Sequence, residues 1–460
     1  MLILALKLLL LAFDPVPKLF MGDSGSYIWT ALTGWIPTDR SYFYGYVIRY
    51  SAVWTESLTG LLLLQMCASA ITALCVARIC HSTLGLSARV SYVFGVLCAV
   101  DPLQLVWERY VLTETLSLLL YALVLERSLA YLRHRRIRDI LIIQVIAVLL
   151  IGFRMSYLLV VQVSAVLLPL IAFLPELLAR LRKHSVNFPP RFVLLRQATG
   201  HCLVSVIAMV GLHTGYKQAN GLLSEREPGY LYSSGIFLLA IWAPALEPAD
   251  APDPRLAELI AKGDEFQIKD LALRNAQVFM PGFLVPRWLE LEPDPVKAGE
   301  VAKATAMHAL TRNPWAIMTL AGQTFSGYWD KPSIKHYAEI DLGHVDLTAE
   351  QVTLLAEKFH ADFPQEIVNI KSPLKKYFLK SWRYSLLVLL APLWSGILVF
   401  VFAEKKYVFL LFVHNSILVG TTLLFAVAPS IRYLQPVSFL TLIVMAGYVR
   451  VAMDYRRKRA

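Results

Sequence analysis

Ten apolar runs leave this chain one class of fold. They lie at roughly residues 1–13, 57–78, 90–106, 110–126, 139–152, 155–175, 198–216, 383–402, 407–428 and 433–450. A helical bilayer crossing takes about 20 apolar residues. Backbone inside hydrocarbon must satisfy its own hydrogen bonds, which continuous apolar segments do as helices. The sequence therefore reads as an all-α polytopic membrane protein with about ten transmembrane helices. Composition agrees: of 460 residues, 57% are hydrophobic and 17% charged. The first and fifth runs are the shortest. The first is expected to be a signal-anchor helix with a truncated start. A cleaved signal peptide is the rival, but no small-x-small cleavage site follows the run.

Basic residues set the expected orientation. Arg78 and Arg89 flank one connection, and Arg127, Arg133, Arg135, Arg136 and Arg138 crowd the next on that side. Arg180, Arg182, Lys183, Arg191 and Arg196 fill a third, Lys405 and Lys406 a fourth, and Arg456, Arg457, Lys458 and Arg459 the last stretch. With ten spans all five clusters fall on one face, which the positive-inside rule makes cytoplasmic, with both termini there. The net charge of +11 is then mostly topological. It is tethered to span ends rather than interleaved with exposed aromatics, so attraction to anionic headgroups accounts for it and nucleic-acid binding is not expected.

Between the spans the chain divides into three. Residues 1–216 form an N-terminal membrane module with an outer loop at 14–56, residues 217–382 an outer domain, and residues 383–460 a C-terminal membrane module. The outer domain reads as mainly helical. Its apolar stretch near 230–244 is too short to span and is expected to be an interfacial or re-entrant helix. Helical patterns follow at 254–275, 299–328 and 348–360, with Asn313-Pro314 marking one start and Thr348 capping another. Cys67, Cys75, Cys80, Cys98 and Cys202 all lie in or beside spans, so no disulfide framework or zinc spacing is visible in the outer domain.

Chemistry is expected where ionisable groups meet the membrane boundary, because they are costly there and are kept for function. Asp23, in Gly22-Asp23-Ser24-Gly25-Ser26-Tyr27, follows the first span. It reads as a catalytic carboxylate; the structural alternative is a helix N-cap, and the two roles are compatible. Glu114 opens the fourth span and is either catalytic or a group that orients Asp23 or the acceptor. Asp101, in an Asp-Pro turn, and Glu108 are alternatives to it, and Arg109 is near enough in sequence to approach Glu114. Arg154 and Arg432 stand at outer junctions that positive charge normally avoids. Each calls for an anionic partner, either a phosphate gripped bidentately or an internal carboxylate such as Asp101 or Glu114. The outer loop interleaves aromatics with Asp39, Arg40 and Arg49, a surface suited to a sugar as well as to a headgroup belt. Tyr27, Arg40, Tyr44, Asp101, Glu108, His213, Lys217 and Tyr433 are further candidate substrate contacts. There is no phosphate loop, His-Glu-x-x-His or Gly-x-Ser-x-Gly, so an ATP-driven pump, a zincin and an α/β-hydrolase are not expected.

This layout resembles the GT-C superfamily of integral-membrane glycosyltransferases, in the bacterial branch related to protein mannosyltransferases and the lipid A aminoarabinose transferase. Asp23 in Gly-Asp-Ser-x-x-Tyr is similar to the acidic residue of that family's first outer loop. Leu112-Thr113-Glu114-Thr115-Leu116 is similar to its Thr-Glu-Leu stretch, and Ile431-Arg432-Tyr433-Leu434-Gln435-Pro436 to an Arg-Tyr-x-x-Pro stretch. Arg154 stands where an Arg-Pro or Arg-Ser element is common, without the proline. The resemblance covers about the first 175 residues and the last 80. It implies transfer of a sugar from a polyprenyl-phosphate donor to a lipid, glycan or protein acceptor, on the periplasmic face of a bacterial inner membrane. Asp23 would be the general base, Glu114 its helper, and Arg154 and Arg432 the donor-phosphate ligands, with no cofactor or metal called for. Ser24 after Asp23 departs from the Asp-Glu pair of protein mannosyltransferases, which weighs against a protein acceptor. The alternatives are a lipid-linked sugar flippase or transporter, an O-antigen ligase or polymerase-like enzyme, and a structural subunit.

Overall fold

The computed structural model describes residues 2–181, 191–342, 347–363, 365 and 372–459. Among these the chain is helical throughout, and its only β pairing is an isolated parallel bridge between Lys18 and Tyr110. The N-terminal part runs through α1 (Leu2–Phe13), α2 (Met21–Thr33), α3 (Phe43–Ile48), α4 (Leu58–Ser82), α5 (Ala88–Ala99) and α6 (Pro102–Leu105). It continues through α7 (Glu114–His134), α8 (Ile137–Phe153), α9 (Leu158–Leu181) and α10 (Arg191–Ser224). Arg182 and Lys183, two members of the third basic cluster, lie outside the described residues.

Among the described residues six helices are long and apolar enough to cross a membrane, or eight if each of two bent pairs is one span. This is an all-helical polytopic membrane protein. The pair α5–α6 bends by 48° at Asp101-Pro102, where the proline supplies no backbone donor and Asp101 caps the new helix by accepting from Leu103 N. The second pair, α20 (Trp382–Leu389) and α21 (Ala391–Val401), bends by 50° just ahead of Pro392. Two of the ten expected spans are helical but short: α1 has 12 residues and α8 has 17. At 1.5 Å per residue these reach only about 18 and 26 Å. The last two long helices are α22 (Lys405–Phe425) and α23 (Gln435–Arg459).

The segment between α10 and α20 folds as helices α11 (Ser234–Ile241), α12 (Pro254–Ala261), α13 (Arg274–Phe279), α14 (Leu284–Leu291), α15 (Pro295–Arg312) and α16 (Pro314–Gly327). Then come α17 (Lys331–Asp341), α18 (Ala349–Phe359) and α19 (Pro373–Leu379). Asn313 caps α16 by accepting from Ala316 N, and Thr348 makes a reciprocal capping box with Gln351. The expected interfacial helix over 230–244 narrows to the eight residues of α11, and its apolar side is buried in protein. Gly235 and Gly299 cross so closely that a Cβ on Gly235 would stand 1.9 Å from Gly299 O, and Leu239 and Ala240 are fully buried against Ala298, Ala302 and Trp288. The helix expected over 254–275 ends at Ala261, and the 14–56 loop carries α2, α3 and a π turn at Arg49–Val53.

Candidate functional site

Backbone pairing at one end of the bundle brings the end of the first expected span beside the start of the fourth. Lys18 N donates to Arg109 O at 2.6 Å, and Val111 N donates to Lys18 O at 2.9 Å. Ser24, wholly buried, then accepts from Phe20 N and donates to Val111 O, at 2.8 and 2.9 Å. These bonds hold the start of α2 beside the start of α7. Phe20, not Asp23, occupies the N-cap of α2, and Asp23 lies in its first turn. Glu114 is the first residue of α7 rather than a turn inside it.

Six charged side chains from four segments form an alternating chain. Arg40 grips Asp39 through Nε and Nη2, at 3.1 and 2.6 Å, and its Nη1 donates to Asp23 Oδ1 at 2.6 Å. The other Asp23 oxygen accepts from Arg432 Nη2 at 3.2 Å. Arg432 Nε donates to Glu114 Oε1, and Arg154 Nη1 stands 3.3 Å from that same oxygen. Three carboxylates and three guanidiniums sum to zero. The internal-carboxylate alternative for both arginines is thus what the geometry shows, with Glu114 and Asp23 as partners rather than Asp101. Exposure falls along the chain, from 28% at Asp23 to 12% at Arg432 and none at Glu114, so Asp23 is the more reachable of the two candidate acids. Glu114 Oε2 and Arg154 Nη1 are buried without hydrogen-bond partners.

Arg432 is fixed from both sides. Its guanidinium carbon lies 4.1 Å from the Phe20 ring centroid, a cation–π contact. Its backbone N donates to Asp341 Oδ2 at 3.1 Å, and Ser430 Oγ donates to both Asp341 oxygens at 2.8 and 2.9 Å. Tyr328 adds a bond from its hydroxyl to Ser430 O at 2.6 Å. Helices α16 and α17 therefore clamp the turn that carries Arg432. Burial pushes the Asp341 carboxyl up to about 6, against the downward pull of the Ser430 and Arg432 hydrogen bonds. Burial works against the Arg40 charge, but Asp39 and Asp23 outweigh it and hold the guanidinium above its ordinary value. Tyr27 is raised as well, by burial first and then by Asp23, so its hydroxyl stays protonated.

Three expected substrate contacts are spent elsewhere. Tyr44 is fully buried and donates to Gln65 Oε1 at 2.6 Å; the same Gln65 donates to the carbonyls of Glu108 and Tyr110. Glu108 is buried against Lys7 of α1, Ser69 and Arg109, a structural ion pair. Asp101 accepts from Tyr384 and Ser438 as well as capping α6. Arg109 approaches Glu108 and the Asp14 carbonyl instead of Glu114. Tyr27 stays near the charged chain, with Arg40 5.9 Å from its ring centroid, and Tyr433 is the neighbour of Arg432, half-buried.

His213 and Lys217 belong to a second cluster. His213 Nδ1 pairs with Tyr230 Oη at 2.7 Å, Lys217 Nζ lies 5.6 Å from the Tyr230 ring, and Tyr216 stacks on Tyr230 with centroids 5.9 Å apart. Phe43 joins this cluster to the first, since its ring lies 5.9 Å from Tyr216 and 6.1 Å from Phe153, the neighbour of Arg154. Sequence reasoning missed Lys7, Ser24, Tyr328, Asp341 and Ser430. Of these only Lys7, a charge inside an apolar run, left a signal in the chain. The functional consequence of the geometry is a carboxylate, Asp23, presented at the bundle end with a guanidinium on each oxygen and tyrosines beside it. No family model, curated protein or solved structure matches the chain.

Proposed function

We propose that this protein transfers a glycosyl group from a polyprenyl-phosphate-linked donor to a lipid or glycan acceptor at the outer face of a bacterial inner membrane. The observation that carries this reading is the meeting of Asp23, Glu114 and Arg432, three residues distant in sequence that carry the resemblance to GT-C glycosyltransferases. A GT-C-like arrangement of ten spans, with both termini cytoplasmic and the 217–382 domain periplasmic, belongs to the same proposal. It is supported by a helix in each of the ten apolar segments and by the clamp of α16 and α17 on the Arg432 turn.

The chemistry follows from the positions. The acceptor hydroxyl gives its proton to Asp23 while its oxygen bonds to the anomeric carbon. The bond from that carbon to the phosphate oxygen breaks, and the electron pair leaves with the polyprenyl phosphate. Arg432 and Arg154 stabilise the charge growing on the phosphate through N–H groups not used on Glu114 and Asp23. Glu114, fully buried between them, holds both arginines in place. The exposed outer-loop aromatics Trp29 and Trp35 offer faces to a sugar ring, and closing them over the donor limits hydrolysis.

Sugar transfer by membranes containing the full chain, with radiolabelled polyprenyl-phosphate sugars, tests the reading. Asp23→Asn is expected to lower transfer by about 10²–10⁴ while donor binding is kept. Full transfer by Asp23→Asn removes the base. If no donor supports transfer, and lipid-linked sugar collects on the inner face of cells lacking the protein, a flippase replaces the enzyme.

A further inference from the structure

The charged chain around Asp23 is neutral overall, since each of its arginines faces a carboxylate. One cation beside it is different. Lys217 of α10, whose ammonium lies over the Tyr230 ring, makes no ion pair with any carboxylate among the described residues. His213 lies one turn of helix before it, and Tyr216, three residues after His213, stacks on the same Tyr230 ring. Asn220 pins the same face by donating to the carbonyls of Gly229 and Tyr230, at 2.7 and 3.1 Å.

Two further groups there are buried with polar capacity unspent. His213 is 4% exposed and Tyr216 6%, yet among the described residues His213 Nε2 and Tyr216 Oη have no hydrogen-bond partner. Orphaned buried polar atoms cost about 1–3 kcal/mol each and call for an explanation. In the tautomer whose Nδ1 accepts from Tyr230 Oη, the imidazole carries its proton on Nε2 and offers a donor. Tyr216 offers a second donor and Lys217 a full positive charge. Aromatic rings of Tyr230 and Phe43 wall the group. Three donors, one of them charged, beside apolar walls match an oxyanion attached to an apolar body.

We propose that His213, Tyr216 and Lys217 form a phosphate-monoester site, separate from the Arg432–Glu114 pair and joined to it through Phe43. Its ligand is a phosphate carried on a lipid or free phosphate; both present the same oxygens to these donors. The site rests on the proposed transfer only for its place in a reaction, where it would hold a polyprenyl phosphate. Phosphate binding itself needs no transfer.

The test is binding of farnesyl phosphate, farnesol and inorganic phosphate to the purified full chain in detergent micelles, followed by calorimetry. Wild type is expected to bind farnesyl phosphate more tightly than farnesol. Lys217→Met should weaken farnesyl phosphate by about 10- to 100-fold, as loss of a charged hydrogen bond does, and leave farnesol unchanged. Tyr216→Phe should weaken it by less, and Lys217→Arg should keep most of it. Inorganic phosphate binding with the same sensitivity to Lys217→Met identifies free phosphate as a ligand, and binding of farnesyl phosphate alone identifies the lipid. Either result supports the site. Wild-type affinity in both Lys217→Met and Tyr216→Phe, or no binding of either phosphate to wild type, overturns it. Asp23→Asn separates the two proposals, because it is expected to abolish transfer and leave farnesyl phosphate binding intact.

Discussion

At the scale of single residues, burial sorts the charged chain into parts with different jobs. Glu114 has no exposed surface and faces two arginines, so truncating it leaves Arg154 without a carboxylate and Arg432 with Asp23 alone. Breaking a buried pair in this way costs about 3–5 kcal/mol. Glu114→Ala is therefore expected to lower the thermal midpoint of the purified protein sharply, and Arg432→Met to do the same from the other side. Asp23 keeps 28% of its side chain exposed, and water can replace what it loses. Asp23→Asn should cost no more than about 1 kcal/mol, while abolishing transfer. Equal destabilisation by the two would mean that Asp23 is a strut like Glu114. The sequence showed which charges sat at span ends, because charge against an apolar background is conspicuous. It did not show their pairing. Glu108 and Glu114 look alike in the chain, and only the fold turns one toward Lys7 and the other toward Arg432.

At the scale of elements, the two glycines at the α11–α15 crossing and the clamp on the Arg432 turn are the most sensitive joints. A methyl at Gly235 would meet Gly299 O at 1.9 Å and Lys303 N at 2.6 Å, both backbone atoms that cannot rotate aside. Gly235→Ala is expected to force α11 from α15 and expose the outer domain to limited proteolysis. Protection equal to wild type would show that the helices can part without loss. The Asp341 clamp carries a pH signature. Its folded carboxyl titrates near 6, above its ordinary value of 3.8. The folded state therefore holds the proton more tightly than the unfolded one, and ionising Asp341 costs stability as pH rises between about 4 and 6. Thermal midpoints of wild type minus those of Asp341→Asn should fall across that window, and a flat difference would contradict the burial of this carboxylate. Neither joint was legible in the sequence. Gly235 lies in an apolar stretch read as an interfacial or re-entrant helix, because periodicity reports an apolar face and not what covers it. The ends set by Asn313 and Thr348 were legible, because capping is local chemistry between residues three apart.

At the scale of the whole molecule, positive charge and reactive charge segregate along the bundle axis. Arg133, His134 and Arg135 lie at the C-terminal end of α7, and Glu114 at its N-terminal end beside Arg154 and Arg432. Arg456, Arg457, Lys458 and Arg459 fill the last turn of α23, whose other end follows Arg432 directly. Two long helices thus run from the same neutral ladder to the same basic end. If the basic end is cytoplasmic, as anionic inner leaflets and the positive-inside rule require, the ladder and the 217–382 domain face outward together. Ser326 and Arg457 are exposed and lie at opposite ends of this arrangement. In a cysteine-free background, Ser326→Cys is expected to react with a membrane-impermeant maleimide on intact spheroplasts, and Arg457→Cys only after permeabilisation. The reverse pattern would put Asp23 on the cytoplasmic side. There a sugar nucleotide rather than a polyprenyl phosphate would be the available donor, and the transfer proposal would fail with the topology. Labelling of both from outside would mean an even number of crossings between the two positions, which α1 and α8, the two short helices ahead of both, cannot alter. The count that matters is then carried by the bent pair α20–α21 together with α22 and α23.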